Sequence, residues 1–213
     1  MTTWAIVPVK PFHEGKSRLG VVLTDSERYK LNISCLKKTL TTLTKAASIE
    51  KILVISRDAE ALEIAAQNGA RTLLENGSQG LNQALYQANN TLDKTQDRVL
   101  VIPTDLPLLE VEDVQQIIEL GCKPPVVVVV ADRKNKGTNG LFVNPVGCIR
   151  YRFGKNSSKK HVFEAQKRDI KAIVADIPGM RLDLDLEEDL EYLKSVDFSL
   201  PIPVYNSMEE TIR

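Results

Sequence analysis

The chain has 213 residues, and its 28 lysine and arginine residues balance 28 aspartate and glutamate residues, giving a formal net charge of +0. This balance excludes the broad positive field that attracts nucleic acid or an anionic membrane surface, so any anion site has to come from a local cluster of cations. Hydrophobic residues make up 43% of the chain, which together with its length predicts one domain with a continuous core.

Cysteine usage and targeting signals both indicate a cytoplasmic protein. The three cysteines, Cys35, Cys122 and Cys148, are scattered, which is typical of buried, reduced thiols and not of a disulfide framework or a zinc site. No segment is long and apolar enough to span a bilayer, and the N-terminal residues run into a strand without the pattern of a signal peptide. We therefore expect neither a nucleic-acid partner nor a membrane partner.

An apolar segment near the start, AIVPV at residues 5–9, predicts a strand well inside a sheet. Pro8 and Pro11 are expected to end this strand and to stiffen its exit. The connection that follows carries three cations, Lys10, Lys16 and Arg18. Open α/β sheets bind ligands at this edge, and clustered cations favour a polyphosphate, which an arginine fork and lysine point charges hold well. The alternative is a solvated basic loop without a ligand.

Alternating helix and strand signals follow the basic loop. Thr24 and Glu27 form a capping box, which predicts the start of a helix. The inward positions of this helix recur at helical spacing, namely Ile33, Leu36, Leu40, Leu43 and Ala47. An apolar strand at residues 51–56, a helix capped by Asp58 and a short strand at residues 70–74 come next. This alternation predicts a parallel, doubly wound sheet.

The second half of the chain continues the same pattern. Gly77 and Gly80 lie in a loop where the backbone can turn tightly or approach a ligand closely. Further helices are predicted at residues 81–92, 111–120, 158–168 and 187–193, and further strands at residues 98–102, 125–130, 141–143 and 171–175. We interpret residues 1–196 as a single domain. Residues 197–213 are either a tail or an arm against a partner chain, and the second alternative would make the protein a homodimer.

Carboxylates near two predicted turns are candidate metal ligands. Asp105 follows a strand, on a turn stiffened by Pro103 and Pro107, which suits it to hold Mg²⁺. Asp183 and Asp185 flank one leucine, so in an extended segment both side chains face the same side. Like charges at that spacing are unfavourable unless a cation or hydrogen bonds offset them. The alternatives are that Asp105 only forms the turn and that Asp183 or Asp185 only caps the next helix.

Basic residues after the first strand and carboxylates later in the chain are typical of phosphoryl or nucleotidyl transfer. The sequence contains no P-loop motif, and no GxGxxG motif follows the first strand, which excludes a P-loop enzyme and argues against a dinucleotide redox fold. His13 and His161 are the only histidines, and neither has an evident serine or cysteine partner. We expect both at the surface. His13 lies in the basic loop, where contact with a phosphate is the less favoured alternative.

Five motifs from Ile6 to Leu190 resemble the 2-phospho-L-lactate / phosphoenolpyruvate guanylyltransferases, in the same order and with similar gaps. These enzymes make the guanylylated precursor of coenzyme F-420. The motifs are IVPVK at 6–10 with KSRL at 16–19, PTDLPL at 103–108, GTNGL at 137–141, RFG at 152–154 with Ser157, and LDLD at 182–185 with EDL at 188–190.

The resemblance implies a Rossmann-like, three-layer α/β nucleotidyltransferase fold with a mostly parallel, mixed sheet. It assigns the GTP phosphates to Lys10, Lys16 and Arg18, and places Gly80 and Asn82 near the guanine. It assigns Mg²⁺ to Asp105, Asp183 and Asp185. It assigns the phosphorylated acid to Thr138, Gly154 and Ser157. Under these assignments the catalytic residues are Lys16, Arg18 and Asp105.

The implied reaction joins GMP from GTP to phosphoenolpyruvate or 2-phospho-L-lactate and releases pyrophosphate, with 3-phosphoglycerate as a further candidate acceptor. Two other hypotheses stay open at this point. One is a nucleotidyltransferase that uses CTP or another nucleotide and a different phosphorylated acceptor. The other is a non-catalytic module that binds GTP or a phosphorylated acid.

Overall fold

Seven strands form one mixed sheet in the part of the chain that the computed structural model describes, namely residues 1–77, 80–94 and 96–196. They are β1 (Thr2–Val9), β2 (Lys51–Ser56), β3 (Arg71–Leu74), β4 (Asp97–Val101), β5 (Val126–Ala131), β6 (Thr138–Asn144) and β7 (Lys171–Ala175). Their order is β3-β2-β1-β4-β6-β5-β7, and only β6 runs antiparallel to its neighbours. The predicted mostly parallel sheet is confirmed, whereas the prediction for residues 197–213 lies outside the described residues.

Five of the described α-helices precede the last strand and two follow it. The helices are α1 (Asp25–Lys45), α2 (Ala59–Gln67), α3 (Leu81–Asn89), α4 (Val111–Leu120), α5 (Ser157–Gln166), α6 (Pro178–Arg181) and α7 (Glu187–Ser195), and a 3-10 helix spans Ser17–Val21. The predicted helices start within one residue of the expected positions, whereas α6 and the 3-10 helix were not predicted. The capping box is confirmed, because Thr24 Oγ1 accepts from the Glu27 amide at 3.3 Å and Glu27 Oε2 accepts from the Thr24 amide at 2.7 Å. Asp58 caps α2 through the Glu60 amide at 3.0 Å.

Helices cover both faces of the sheet, which confirms the predicted three layers. On one face α1, α2 and α4 bury apolar side chains such as Leu40, Ala65 and Ile117 against β1, β2 and β5. On the other face α3 and α5 bury Leu85 and Ala165, among others, against the alternate residues of the same strands. Strands that are covered on both faces need apolar side chains at consecutive positions, which explains the unbroken valine run of β5.

A smaller apolar cluster fixes the basic loop beside the segment that carries Asp183 and Asp185. Leu19 from the 3-10 helix, Leu31 from α1 and Leu190 from α7 are all fully buried in it together with Leu184. Truncation of one buried leucine typically lowers the free energy of unfolding by about 2–5 kcal/mol. The cluster therefore stabilises the contact between two parts of the chain that are distant in sequence.

The strand β1 passes through Pro8 and ends at Val9, so the prediction that Pro8 ends the strand is wrong. Pro8 is in register with Ile55 of β2, and the carbonyl of Ile6 accepts from the amide of Ile102 on the opposite side. Residues two apart in a strand direct their backbone groups to the same side. Pro8 therefore directs its missing N–H toward β4, beyond the end of that strand, where no ladder bond is lost.

Three other expectations need correction. The strand β6 begins at Thr138 instead of residue 141, so Thr138 and Asn139 are strand residues with fixed side-chain directions. Ala47 is exposed and Ala46 is buried in its place, because α1 ends at Lys45. All three cysteines are free, but Cys122 is exposed and Cys35 and Cys148 are only partly buried, so the expectation of buried thiols is not met. None of the described helices has the length and apolar character that a membrane crossing requires.

Candidate active site

A cavity of about 400 Å³ opens at the carboxyl ends of β1, β2 and β4. This is the edge of an open α/β sheet where ligands bind, because the connections diverge there toward helices on opposite faces. The polar and glycine residues around it include Lys10, Glu14, Lys16, Asn32, Arg57, Glu75, Gly80, Asp105 and Asp185. Lys10 and Lys16 therefore share one cavity with Asp105 and Asp185, which are distant in sequence, whereas Asp183 does not line it.

The basic loop has a defined conformation. Lys16 has φ 54° and ψ 34°, a left-handed backbone that costs a non-glycine residue on the order of 1–3 kcal/mol. Two bonds hold the preceding turn: Asn32 Nδ2 donates to the carbonyl of Phe12 at 2.7 Å, and the Phe12 amide donates to Asp58 Oδ2 at 2.9 Å. Gly15 lies so close to the Asn32 amide that a Cβ at this position would collide with it.

The side chain of Lys16 reaches across to the segment between the two later aspartates. Its Nζ donates to the carbonyl of Leu184 at 2.7 Å. Lys10 also lines the cavity, and its exposed ammonium group has no hydrogen-bond or ion-pair partner among the described residues. The two lysines, which lie at the two ends of the loop between β1 and the 3-10 helix, therefore both bring positive charge to the cavity.

Arg18 lies next to the cavity and forms an ion pair with Asp185. Its Nη1 is 2.6 Å from Asp185 Oδ2, and the two side chains are 67% and 38% exposed. Exposed ion pairs of this kind contribute little to stability. An incoming anion can therefore displace Asp185 from Arg18, and an incoming cation can displace Arg18 from Asp185, at small cost. Arg18 itself does not line the cavity, although its partner does.

Two partly buried carboxylate groups at or near the cavity lack full compensation. Asp105 Oδ1 is buried without a hydrogen-bond partner among the described residues. The pKa of Asp183 is raised above its ordinary value, mainly by burial and to a smaller extent by the negative charge of Asp105. Asp183 Oδ1 has only a long contact with Asn139 Nδ2 at 3.4 Å, and the amide of Leu184 donates to the carbonyl of Asp105 at 2.8 Å. Asp105 thus provides an unpaired oxygen and Asp183 a weakly paired one, on connected backbone segments.

These carboxylates fit the requirements of Mg²⁺. The described residues contain no group of three or more His, Cys, Asp or Glu side chains arranged to hold a metal by themselves. Mg²⁺, however, is usually bound by one or two carboxylates together with water and substrate phosphates. Asp105 and Asp183 meet that requirement, since one has an orphaned buried oxygen and the other a raised pKa. Asp185 lines the same cavity but already has Arg18 as its partner.

The three residues assigned by resemblance to the phosphorylated acid lie together in a second group. Thr138 Oγ1 is 2.9 Å from Ser157 Oγ, and the amide of Ser157 donates to the carbonyl of Gly154 at 3.0 Å. Gly154 has φ +116°, which favours glycine at this position. None of the three lines the cavity at the β1, β2 and β4 ends, so the two groups are separate surfaces of the site.

His161 joins this second group and corrects the expectation that it lies at the surface. It is fully buried, the amide of Arg152 donates to its Nε2 at 2.9 Å, and its Nδ1 is 3.2 Å from Thr138 Oγ1. Burial lowers the pKa of His161 to about 4, so the ring is neutral at physiological pH. The spacing of Ser157 and His161, four residues apart on α5, is the sequence signal that points to their common face. His13 is exposed and stacks against Tyr29.

Asn82 lies at the first turn of α3 and outside the residues that line the cavity. Its Oδ1 accepts from the amide of Phe153 at 2.8 Å and its Nδ2 donates to the carbonyl of Phe153 at 3.0 Å. The amide group therefore fixes the backbone next to Gly154. Gly80, by contrast, lines the cavity and has φ +85°.

Three charged residues that sequence reasoning missed line the cavity, namely Glu14, Arg57 and Glu75. Arg57 follows β2 directly and forms an ion pair with Glu14 of the basic loop. Glu75 follows β3, and its amide donates to the carbonyl of Ser56 at 2.8 Å. The positions of Arg57 and Glu75 immediately after two parallel strands are the signal that places both at this edge.

Comparisons with known proteins identify the family of this chain. A family model described as "Guanylyl transferase CofC like" matches residues 3–194. The chain is 35% identical over 196 residues to the phosphoenolpyruvate guanylyltransferase of Rubrobacter xylanophilus, covering 92% of this chain and 95% of the relative. It is 34% identical over 213 residues to the 2-phospho-L-lactate guanylyltransferase of Methanothermobacter thermautotrophicus, covering 94% and 93%.

Similar solved structures show the fold alone, because their sequence identities are low. A nucleotidyl transferase from Methanothermobacter thermautotrophicus superposes with a TM-score of 0.67 at 11% identity, over 92% of this chain and 97% of that chain. The 4-diphosphocytidyl-2C-methyl-D-erythritol synthase from Anaerococcus prevotii superposes with a TM-score of 0.63 at 12% identity, over 92% and 95%. With the family model and both relatives covering nearly the whole sequence, this chain belongs to the CofC-like guanylyl transferase family.

Proposed function

We propose that this protein is a guanylyltransferase that joins GMP from GTP to a phosphorylated three-carbon acid and releases pyrophosphate. The observation that carries the proposal is the shared cavity, in which Lys10 and Lys16 meet Asp105 and Asp185. The acids named in the relatives, phosphoenolpyruvate and 2-phospho-L-lactate, are the candidate acceptors. Membership of the family makes the reaction a step in the biosynthesis of coenzyme F-420.

The cavity supplies positive charge where GTP would place its phosphates. Lys10 has an exposed ammonium group, and the ammonium group of Lys16 is held by the carbonyl of Leu184. Both charges would reduce the repulsion between the polyphosphate and the carboxylates. Arg18 can leave Asp185 for a phosphate, and its fork gives two parallel hydrogen bonds. Gly80, which also lines the cavity, has no side chain in the way of the nucleotide.

Asp105 and Asp183 would hold Mg²⁺, with Asp185 as a third carboxylate once Arg18 turns to the nucleotide. The ion, when bound, adds positive charge next to the phosphates and lowers the cost of bringing two anions together. Without it the carboxylates repel the substrates. We therefore expect activity that depends on a divalent cation.

The reaction needs orientation and charge, and no base. The phosphate of the acid is already ionised, so one of its oxygens can form a bond to the α-phosphorus of GTP while the bond from that phosphorus to the bridging oxygen breaks. Pyrophosphate takes the electron pair and leaves, and Lys16 and Arg18 are the cations that would stabilise its charge. Among the described residues, those that line the cavity include neither a histidine nor a cysteine, which is consistent with this chemistry.

The acid would bind at Thr138, Gly154 and Ser157, the second group of the site. Hydroxyl and backbone donors at these residues suit the acceptor-only oxygens of an ionised carboxylate or phosphate. Phosphoenolpyruvate and 2-phospho-L-lactate present the same charged groups and differ around the central carbon, so both are candidates for the same donors.

The proposal is tested with the full-length protein, Mg²⁺ and GTP, in parallel with phosphoenolpyruvate, 2-phospho-L-lactate and 3-phosphoglycerate. We expect pyrophosphate and an equal amount of the guanylylated acid, measured by coupled assay and mass spectrometry, with at least one of the first two acids. CTP in place of GTP serves as the donor control and should give much less product. No pyrophosphate with any of the three acids, or faster turnover with CTP, contradicts the proposal.

A further inference from the structure

The buried ring of His161 and the hydroxyl groups of Thr138 and Ser157 form a hydrogen-bond chain with a fixed direction. The chain begins at the amide of Arg152, which donates to His161 Nε2 at 2.9 Å. It continues from His161 Nδ1 to Thr138 Oγ1 at 3.2 Å and from there to Ser157 Oγ at 2.9 Å. The assigned role of Thr138 and Ser157 rests on the proposed function, and the role of His161 follows from this geometry.

The backbone amide determines which nitrogen of the ring carries the proton. An amide N–H is only a donor, so Nε2 has to be the unprotonated, accepting nitrogen. Burial lowers the pKa of His161 to about 4, so the ring is neutral and its one proton is on Nδ1. The ring of Phe153 packs edge-on against the imidazole with centroids 4.8 Å apart, which holds the ring in this orientation.

A proton on Nδ1 determines the role of Thr138. The contact between the two residues is then a bond from His161 to Thr138 Oγ1, so Thr138 cannot donate to the ring. Two hydroxyl hydrogens remain in the pair, and the bond between Thr138 and Ser157 uses one of them. Neither hydroxyl group has another side-chain hydrogen bond within the described part of the chain. One hydroxyl hydrogen is therefore left over for a partner outside the protein.

With the opposite tautomer the pair would lose this donor. Nδ1 would then accept from Thr138, Ser157 would donate to Thr138, and both hydroxyl hydrogens would be used inside the protein. The lone pairs that remained would face the ligand and would repel an ionised oxygen. The tautomer thus decides whether the pair attracts or repels an anion.

We propose that His161 is a positioning residue for the phosphorylated acid, since its Nδ1–H makes Thr138 an acceptor and so leaves one hydroxyl hydrogen of the Thr138–Ser157 pair to bind an anionic oxygen of the acid. The ring does not touch the substrate. It acts through the hydroxyl pair and, at its other nitrogen, through the backbone of Arg152 at the start of the segment that carries Gly154.

The first test measures the tautomer directly in the full-length protein. The chain has two histidines, so [¹⁵N]histidine labelling gives two ring systems, and the exposed His13 serves as the unconstrained reference. We expect long-range ¹H–¹⁵N spectra at pH 7 to show His161 with its proton on Nδ1. A proton on Nε2, or a charged ring at pH 7, overturns the proposal whatever the activity of the enzyme.

The second test uses two substitutions of His161 to distinguish the role of Nδ1 from the role of Nε2. The amide of His161→Asn can place a donor where Nδ1 lies, whereas the amide of His161→Gln reaches the place of Nε2 and can keep the bond with Arg152. We expect His161→Gln to raise the KM for the acid roughly tenfold, because Thr138 loses the hydrogen bond that fixes it as an acceptor and the hydroxyl pair is no longer oriented toward the acid. His161→Asn should raise it by about threefold or less, with the KM for GTP within about twofold in both variants.

A purely structural role predicts the reverse order, because the glutamine preserves the bond that holds the backbone. Equal effects of both variants, or a larger effect of His161→Asn on the KM for the acid, contradict the proposal. Failure of the proposed function looks different, since the wild-type protein would then release no pyrophosphate with any acid. If His161→Asn does not fold, the tautomer measurement on the wild-type protein still decides the question.

Discussion

The side-chain amide of Asn82 makes two hydrogen bonds with the backbone of Phe153, accepting from its N–H at 2.8 Å and donating to its carbonyl at 3.0 Å. This contact joins the start of α3, next to the cavity residue Gly80, to the segment that carries Gly154. An amide can satisfy both backbone groups at once, which no other side chain of this length does. Asn82 thus connects the proposed nucleotide and acid groups of the site through the backbone.

Replacement of Asn82 should therefore weaken acid binding more than GTP binding. Asn82→Asp keeps the acceptor but loses the donor, and Asn82→Ala loses both, so the KM for the acid should rise about threefold and about tenfold, respectively. Steady-state kinetics with each substrate varied in turn provide the measurement. Asn90→Ala, at the other end of α3, is the matched control and should behave like the wild type. A rise in the KM for GTP alone would instead place Asn82 at the guanine.

Asp105→Asn should abolish turnover and preserve the fold. The variant keeps the size of a side chain that has an unpartnered buried oxygen, but removes the charge that a divalent cation requires. We expect kcat to fall by a factor of about 100 or more. In metal-free buffer the melting temperature should stay the same or rise, because the charge of Asp105 no longer opposes ionisation of Asp183. Glu112→Gln, on the exposed side of α4, is the control. Near-normal turnover of Asp105→Asn would show that the metal lies elsewhere.

Two neighbouring serines at the start of α5 allow a matched comparison. Ser157 shares its hydroxyl group with Thr138, whereas Ser158 donates to the carbonyls of Asn135 and Lys136 at 3.4 and 3.3 Å. We expect Ser157→Ala to raise the KM for the acid about tenfold while the KM for GTP changes little. Ser158→Ala should reduce stability by about 1 kcal/mol and leave both KM values near those of the wild type. Equal kinetic effects of the two substitutions would count against Ser157 as a donor to the acid.

Much of the fold was predictable because its signals are local. The bounds of β2, α4 and β7 agree with the predicted ranges, since uninterrupted apolar runs and helical spacing report burial directly. Pro8 shows the limit of local rules. Its effect depends on where the neighbouring strand β4 ends, and the sequence around Pro8 contains no information on that.

The candidate site was predictable where its residues follow strands, and not where it depends on distant contacts. Lys10 and Asp105 follow β1 and β4, and the edge rule for α/β sheets brings them together. The hydrogen bonds from Asn82 to Phe153 and from Lys16 to Leu184 join residues far apart in sequence, and no periodic sequence pattern predicts them. The burial of His161 likewise depends on packing against Phe153 and β6, so a lone histidine was assigned to the surface.

The buried neutral histidine should make stability depend on pH. Burial lowers the pKa of His161 from about 6.5 to about 4, with Glu164 opposing and Lys160 assisting the decrease. The unfolded chain therefore binds more protons between these values, and the free energy of unfolding falls as the pH decreases through this window. Between pH 7 and pH 5 the loss from this group should be about 2 kcal/mol. Urea unfolding at several pH values should show this loss in the wild type and in His13→Asn, and a weaker dependence in His161→Asn. Identical curves for all three proteins would contradict the neutral, buried ring.

Lys16 combines a left-handed backbone with a hydrogen bond from its Nζ to the carbonyl of Leu184 at 2.7 Å, so its charge is held at the cavity before any nucleotide arrives. Lys16→Met keeps most of the side chain and removes the charge, and we expect kcat/KM for GTP to fall about 100-fold or more, because the leaving pyrophosphate loses a fixed cation. Lys30→Met, on the exposed face of α1, removes a charge elsewhere and should change kcat/KM by less than about twofold. The comparison is informative at several salt concentrations, since a loss of general electrostatic attraction would shrink at high salt whereas the loss of a positioned contact would persist. A Lys16→Met enzyme with near wild-type kcat/KM would show that the lysine only holds Leu184 and that the phosphates bind to other cations.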